Sequence, residues 1–366
     1  LLILYAYMLV NMLGLTSAPQ LTRRIDIRSF MPELSPELAR HVTYRRESFV
    51  SRADYDVQPD DVTLYVQLSV DRLSKLLDML VTWQGPISCV VYISGETSEE
   101  AQRTLVKQFI RDNFEAVFYL DVHLLFHNNT RYPVNTLRNY AIEQARSNYG
   151  ALVDADFVLS SNSQHFLKEL FSTEEGRKHL ATPGTPTETQ DLSSPPRVYV
   201  IPAFQSDTHR QLLPKTKQQL LAEIEAGTVT IFSKDACPKC HRPTNYPMWY
   251  QAEEIYQIRY RWIYEPYLAF DRREFPRFDE RFRGYGFDKN SHAFALAVRG
   301  FAFWVVPNLF AIHVNHPVVT WGGGALADNH QQQWDALTLL CRFFVEVRTA
   351  FGYQPDERLF DEPTPM

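Results

Sequence analysis

The chain predicts an α/β fold with a mostly parallel central sheet and helices on both faces, and three observations predict it. Strand-like and helix-like stretches alternate from residue 61 onward, the signature of βαβ units. The run at 87–93 is short, apolar and rich in β-branched residues, as a buried strand is. The run at 151–153 ends in Asp154-Ala155-Asp156, and ligands of such sheets sit outside the carboxyl ends of strands.

Taken in order, residues 16–60 are polar and aperiodic and read as a stem or irregular lead-in. A strand is expected at 62–70. The helix at 71–83 follows from apolar Leu73, Leu76, Leu77 and Leu80, which share one face. After the strand at 87–93 comes a helix at 97–112, with Thr97 as N-cap and Glu99-Glu100 suiting its first turn. A strand at 116–120, a helix at 134–146 and the strand at 151–153 complete the first half. Residues 181–196 form a Pro/Thr/Ser-rich surface loop. A strand at 198–204 and a helix at 215–226 lead into an aromatic-rich mixed region reaching His316. Residues 293–298 and 334–351 read as helical. There is no internal repeat and no heptad run.

With 366 residues the chain can hold one large domain. Its organisation is expected to be a signal-anchor remnant at 1–15, the lead-in at 16–60, one domain at 61–351 and a tail at 352–366. A formal net charge of -6 argues against a general nucleic-acid binder that relies on neutralising phosphates. Residues 1–15 are almost wholly apolar, and Arg23-Arg24 lies on their C-terminal side. A membrane anchor fits this better than a cleaved signal, and a buried helix is the plainer alternative. The Asn128-Asn129-Thr130 sequon and an even count of four cysteines are compatible with a secretory lumen. Cys89, inside an apolar run, is expected to be a buried thiol.

The residues that carry chemistry begin with Asp154 and Asp156. Residues two apart on a strand point the same way, so both carboxylates can address one site. Hard oxygen ligands suit Mg²⁺ or Mn²⁺, which reach proteins through one or two carboxylates plus phosphate oxygens. D-x-D also occurs by chance as a solvated acidic turn. Asn135, Arg138 and Asn139 are spaced i, i+3, i+4 near a helix start; the guanidinium could pair with a diphosphate or brace the aspartates, or simply cap and solvate the helix. His313 and His316 end another strand-like run, where an imidazole can complete a metal shell or serve structure alone. Asp288, after the glycine-bracketed turn at 284–286, is a candidate general base or a capping charge. Thr244, Asn245 and Trp249 form a polar and aromatic cluster suited to a sugar or to loop packing. Cys237-Pro238-Lys239-Cys240-His241 matches the string for haem attachment, but no axial ligand stands out and a zinc site lacks its second pair. A small disulfide or a loop of free thiols remains.

These segments resemble glycosyltransferase family 49, which includes the glucuronyltransferase domain of the LARGE enzymes. The matching strings are Tyr132-Pro133-Val134-Asn135 with Leu137-Arg138-Asn139, Asp154-Ala155-Asp156-Phe157, and Val200-Ile201-Pro202-Ala203-Phe204. They continue with Leu213-Pro214-Lys215, Pro243-Thr244-Asn245-Tyr246, Glu265-Pro266-Tyr267, Asp279-Glu280-Arg281-Phe282 and Pro307-Asn308, ending at Ile312-His313. They follow the family's order and span residues 61–316. The resemblance implies a GT-A fold, type II Golgi membrane topology with a lumenal domain, and Mn²⁺-dependent (or Mg²⁺-dependent) inverting transfer from a UDP-sugar. It places Asp154 and Asp156 at the metal–diphosphate site, with His313 as the further metal ligand. Asn often stands where Asp288 is, so a base at 288 comes from the residue alone. Tyr264 replaces the Trp that usually precedes Glu265-Pro266, which bears on acceptor preference.

The expected activity is transfer of a sugar, glucuronic acid first, from a UDP donor to a glycan on a glycoprotein. Asp288 is the nominated base, with Glu265 and Asp279 as competitors. Asn135, Arg138, Asn139 and Asp154 would serve the donor, and Thr244, Asn245 and Trp249 the sugars. The alternatives are a catalytically silent relative that binds or scaffolds glycans, and a transferase for xylose or N-acetylglucosamine.

Overall fold

The structure, a computed structural model, describes residues 42–95, 97–127, 131–173, 195–207, 212–284, 286–315 and 326–351. The proposed anchor at 1–15, the sequon, His316, the tail and most of the 181–196 loop lie outside them.

The first half follows the expected alternation. In chain order it runs β1 (Arg45–Ser51), β2 (Val62–Ser69), α1 (Leu73–Trp83), β3 (Ile87–Ser94), α2 (Glu99–Asp112), β4 (Leu120–His127), α3 (Val134–Gln144), β5 (Tyr149–Leu152), β6 (Phe157–Leu159) and α4 (Ser163–Ser172). The second half runs β7 (Arg197–Ile201), β8 (Ala203–Ser206), α5 (Lys217–Glu225), β9 (Val229–Ile231), α6 (Pro238–His241), α7 (Tyr246–Gln251), β10 (Tyr256–Ile258), β11 (Tyr267–Asp271), α8 (Asp288–Val298), β12 (Ala302–Val305), β13 (Ala311–Val314) and α9 (Leu326–Phe351).

Among the described residues a nine-stranded sheet has the order β1-β4-β3-β2-β5-β11-β7-β12-β10. Its parallel block is β4-β3-β2-β5, the βαβ part that the periodicity foretells. β7 and β12 add a second parallel pair, and antiparallel β1, β11 and β10 extend the sheet beyond what periodicity shows. A four-stranded sheet, β6-β13-β8-β9, stands beside it.

Strand alternation sends side chains to two cores, one on each face. On β2, Val62, Leu64, Val66 and Leu68 join Leu76, Met79, Leu80 and Trp83 of α1 and Leu167 of α4. Tyr65 and, from β3, Val90 and Tyr92 face the other way, onto Leu137 and Tyr140 of α3. Helices on both faces therefore cover the parallel block, as buried parallel strands require.

Four local differences have physical causes. Ser98, not Thr97, caps α2, its side chain accepting from Ala101 N. Residues 116–119 form a 3-10 turn, and the expected strand starts at Leu120, where the apolar run Leu120–His127 can be buried. The expected strand at 198–204 is split by Pro202, which has no N–H to donate: β7 joins the large sheet and β8 the small one, while Pro202 O accepts from Ala311 N. The lead-in contains a true strand, β1, whose charged residues suit the sheet edge it occupies beside β4.

Candidate active site

β2 and β5 are parallel neighbours, but the chain moves from β2 through β3 to β4 on one side and places β5 on the other. The order of connection reverses between them, so a crevice opens at their carboxyl ends. Gly150 allows β5 to lie close: a Cβ there would fall within the Tyr65 ring. β2 ends in the 3-10 turn Val70–Arg72, and β5 ends just before Asp154.

The acidic pair does not sit on a strand. Phe157 N donates to Asp154 O at 3.1 Å, so the chain turns between β5 and β6 and strand alternation no longer aligns the two side chains. They meet different partners. Asp154 accepts from Arg138 Nη2 at 3.0 Å, from the Tyr267 hydroxyl at 2.9 Å and from Lys289 Nζ at 2.8 Å. Burial alone would raise this carboxyl, but Lys289 and then Arg138 overcome it and hold Asp154 well below the ordinary carboxylate range. Asp156 lies 3.4 Å from Arg72 Nη1 and 3.4 Å from His313 Nε2. His313 arrives from far along the chain because β13 pairs antiparallel with β6, placing His313 opposite Phe157.

Arg138 is almost wholly buried on α3 and links several groups. Its Nη1 donates to Asp288 Oδ2 at 2.6 Å and to Asn135 Oδ1 at 3.0 Å. Burial opposes its charge, yet Asp288 and Asp154 hold its pKa above the usual value. Lys289 behaves in the same way: burial favours the neutral amine, and Asp154, Tyr267, Glu265 and Asp288 together keep it charged.

Glu265 immediately precedes Pro266 and β11. Burial pushes its carboxyl up to about 7, against the pull of Lys289 and with Asp288 and Asp154 adding to the rise. Glu265 is half-buried, with a carboxyl poised near neutrality. Asp288, at the start of α8, is bound by Arg138. Asp279 is gripped by the Arg281 guanidinium and accepts from Arg281 N, which makes it the anchor of its own turn.

The structure assigns other nominated residues to the framework. Asn139 exchanges hydrogen bonds with the Phe278 backbone, and Asn135 Nδ2 donates to Asp279 O, so both pin the 278–280 segment to α3 rather than facing a ligand. Thr244 is buried and its hydroxyl bonds the Tyr264 phenol at 2.9 Å; a Trp at 264 could not take that partner in the same way. Trp249 is fully buried, with its indole N–H donating to Val306 O, and offers no ring face to a sugar. Asn245 is exposed, in a left-handed conformation at the start of α7, with its amide on Met248 Sδ. Conversely, Lys289, Tyr267 and Arg72 were not singled out from sequence. Their signal is a placement beside Asp288, Glu265-Pro266 and the end of β2, and only tertiary contact reveals it.

Among the described residues no three His, Cys, Asp or Glu side chains converge into a ready cation cage. Asp156 and His313 do converge, and their donor set fits a hard-to-borderline divalent ion. A carboxylate suits either Mg²⁺ or Mn²⁺, and an imidazole favours the first-row ion. His313 Nδ1 and Asn315 Oδ1 lie 3.1 Å apart in a hydrogen bond that orients the ring with Nε2 toward Asp156. The Asn315 amide in turn donates to Asp207. Both oxygens of Asp154 accept hydrogen bonds, from Arg138, Tyr267 and Lys289. Cys237 and Cys240 form a disulfide, which settles the choice left open by the C-x-x-C-H string; Cys89 and Cys341 are not disulfide-bonded.

The α/β sheet thus delivers the paired-acid turn to its switch point, with His313 opposite. The family described as glycosyl-transferase for dystroglycan matches residues 61–131 and 124–316, and this chain belongs to that family. Glycosyltransferase-like protein gnt14 of Dictyostelium discoideum is 37% identical over 305 residues, which are 83% of this chain and 44% of that protein. Xylosyl- and glucuronyltransferase LARGE1 of Mus musculus is 32% identical over 283 residues, 75% of this chain and 35% of that protein. The chain thus spans less than half of either relative. Among solved structures, GalNAc-T7 with UDP, GalNAc and Mn²⁺ superposes at a TM-score of 0.40 and 11% identity, covering 79% of this chain and 48% of that one. No described helix is long and apolar enough to cross a membrane.

Proposed function

We propose that the chain is a divalent-metal-dependent, inverting glycosyltransferase that moves a sugar, glucuronic acid in the first instance, from a UDP-sugar to a glycan acceptor on a glycoprotein. The observation that carries this is the pairing of Asp156 with His313 at the sheet's switch point, beside the half-buried Glu265. The names of the relatives, which include a xylosyl- and glucuronyltransferase, support the donor class. A Golgi-lumenal setting with an N-terminal membrane anchor is part of the same proposal.

Asp156 and His313 would hold Mn²⁺ or Mg²⁺, which neutralises charge on the departing diphosphate when bound. Arg72, at the rim of the crevice, adds a cation that can pair with a phosphate oxygen. The Arg138–Asp154–Lys289 cluster is rigid because each charge has a buried counter-charge, so its field is fixed before substrate arrives. Glu265 takes the proton from the acceptor hydroxyl as that oxygen attacks the anomeric carbon from the face opposite the leaving diphosphate. A base with a pKa near 7 is ionised for about half of the molecules at neutrality and still binds a proton well.

The test is UDP release by the purified chain with Mn²⁺ across a panel of UDP-sugars, beside an Asp156→Ala control. Metal-dependent release from one donor, abolished in the control, establishes the activity and names the sugar. Absence of release from every donor, with varied glycosides as acceptors, overturns it in favour of a silent glycan-binding relative.

A further inference from the structure

The Cys237–Cys240 turn touches the candidate active site at two points. Cys240 O accepts from Glu265 N at 2.8 Å, fixing the backbone of the residue that carries the base. The next residue, His241, is buried and lies parallel to the Tyr267 ring, 6.3 Å between centroids and 18° between planes. Tyr267 is the phenol that donates to Asp154. Phe232 packs edge-on against His241 and also meets His313, so the same turn backs the metal half of the site.

The disulfide closes a ring only three residues apart in sequence. Cross-links across short loops remove little chain entropy, so this bond adds little to global stability. Its effect is local: it prevents the turn from spreading and so sets where the Cys240 carbonyl and the His241 ring lie. Cys240 is buried and Cys237 partly exposed, so a small dithiol can reach one sulfur.

We infer that the Cys237–Cys240 disulfide and His241 form a positioning platform for Glu265 and Tyr267, and that reducing the bond lowers turnover without unfolding the protein. The inference rests on the transferase reading for its activity arm alone. In the reduction a dithiol gives two electrons and two protons to the S–S bond, leaving two cysteine thiols and the cyclic disulfide of the reagent. The chain has four cysteines, and Cys89 and Cys341 are not disulfide-bonded, so the reagent has one bond to break.

The experiment treats the purified chain with dithiothreitol, confirms two new thiols by alkylation, and reads three quantities. Amide exchange at Glu265 is expected to accelerate by at least about tenfold. The kcat for UDP release is expected to fall by about tenfold to a hundredfold, with the donor KM and Mn²⁺ affinity held. The Tm is expected to stay nearly constant. Reoxidation restores turnover, and Cys237→Ser with Cys240→Ser reproduces the loss while becoming insensitive to the reagent. Unchanged exchange at Glu265 in the reduced protein overturns the inference, as does a collapse of Tm, which would make the bond a general staple. If the untreated chain turns over no donor, the transferase reading fails and the exchange measurement still decides this one.

Discussion

His313 Nε2 stands 3.4 Å from Asp156 Oδ2, although the two residues lie far apart in sequence. The antiparallel β6–β13 register holds them there, and Asn315 sets which ring nitrogen faces the carboxylate. Removing the Asn315 carbonyl frees the imidazole to rotate or change tautomer. Asn315→Leu is therefore expected to weaken Mn²⁺ binding by roughly tenfold to a hundredfold, measured by titration with detection of free Mn²⁺ by electron paramagnetic resonance. Unchanged affinity would remove Asn315 from the metal shell.

The two aspartates are expected to separate by phenotype. Asp156→Asn should lower Mn²⁺ affinity with little effect on folding. Asp154→Asn leaves Arg138 and Lys289 buried with one counter-charge fewer, at a cost of about 3 to 5 kcal/mol. Denaturant unfolding alongside metal titration checks this, and equal loss of metal affinity in both variants would contradict the division of labour.

Glu265→Gln should reduce kcat by roughly 10² to 10⁴ and remove the limb of the pH–rate profile near 7. Its stability effect has a definite sign. The folded carboxyl binds its proton up to about pH 7, the unfolded one only up to about 4, so the wild type loses stability as pH rises through that window. The amide variant does not titrate. It should be more stable than wild type above pH 7, by about 1 to 3 kcal/mol, and the advantage should vanish below about pH 4. Thermal unfolding at pH 4 and pH 8 reads it.

Gly150→Ala places a methyl group where the end of the buried Tyr65 ring lies, so the ring must shift. A loss of about 1 to 3 kcal/mol is expected from the overpacking, together with reduced turnover because the turn at Asp154 moves with β5. The double variant with Tyr65→Ala should recover part of both, and no recovery would argue against this contact as the cause.

The parallel block was legible because its strands are apolar runs and its helices carry clear faces, as on α1. β1 was not, because an edge strand can be charged on both faces and still pair. The segment from β9 to β13 was opaque: its strands are three to five residues long and most of its described aromatics are buried, so no period emerges. Residue type and position alone nominate Asp156, His313, Arg138 and Glu265, and the fold brings them to one region. Asn135, Asn139, Thr244 and Trp249 look equally suited to a ligand, and only the fold shows that they bond other parts of the chain. Lys289 and Tyr267 acquire their roles by meeting Asp154 across the fold, which no local pattern encodes.

Three times the chain steps from the large sheet to the small one within a few residues: from β5 to β6, from β7 to β8 at Pro202, and from β12 to β13. These steps fasten the small sheet along one seam, like a plate riveted to a frame. Asp156 and His313 ride on the plate; Arg138, Lys289 and Glu265 belong to the frame. Spacing within the first pair is gauged by strand register, and a slip of β13 by one residue would turn His313 to the opposite face. Loops beyond the plate can therefore vary in length and composition, and with them whatever reaches the crevice, while the gauge of the acid–imidazole pair stays the same.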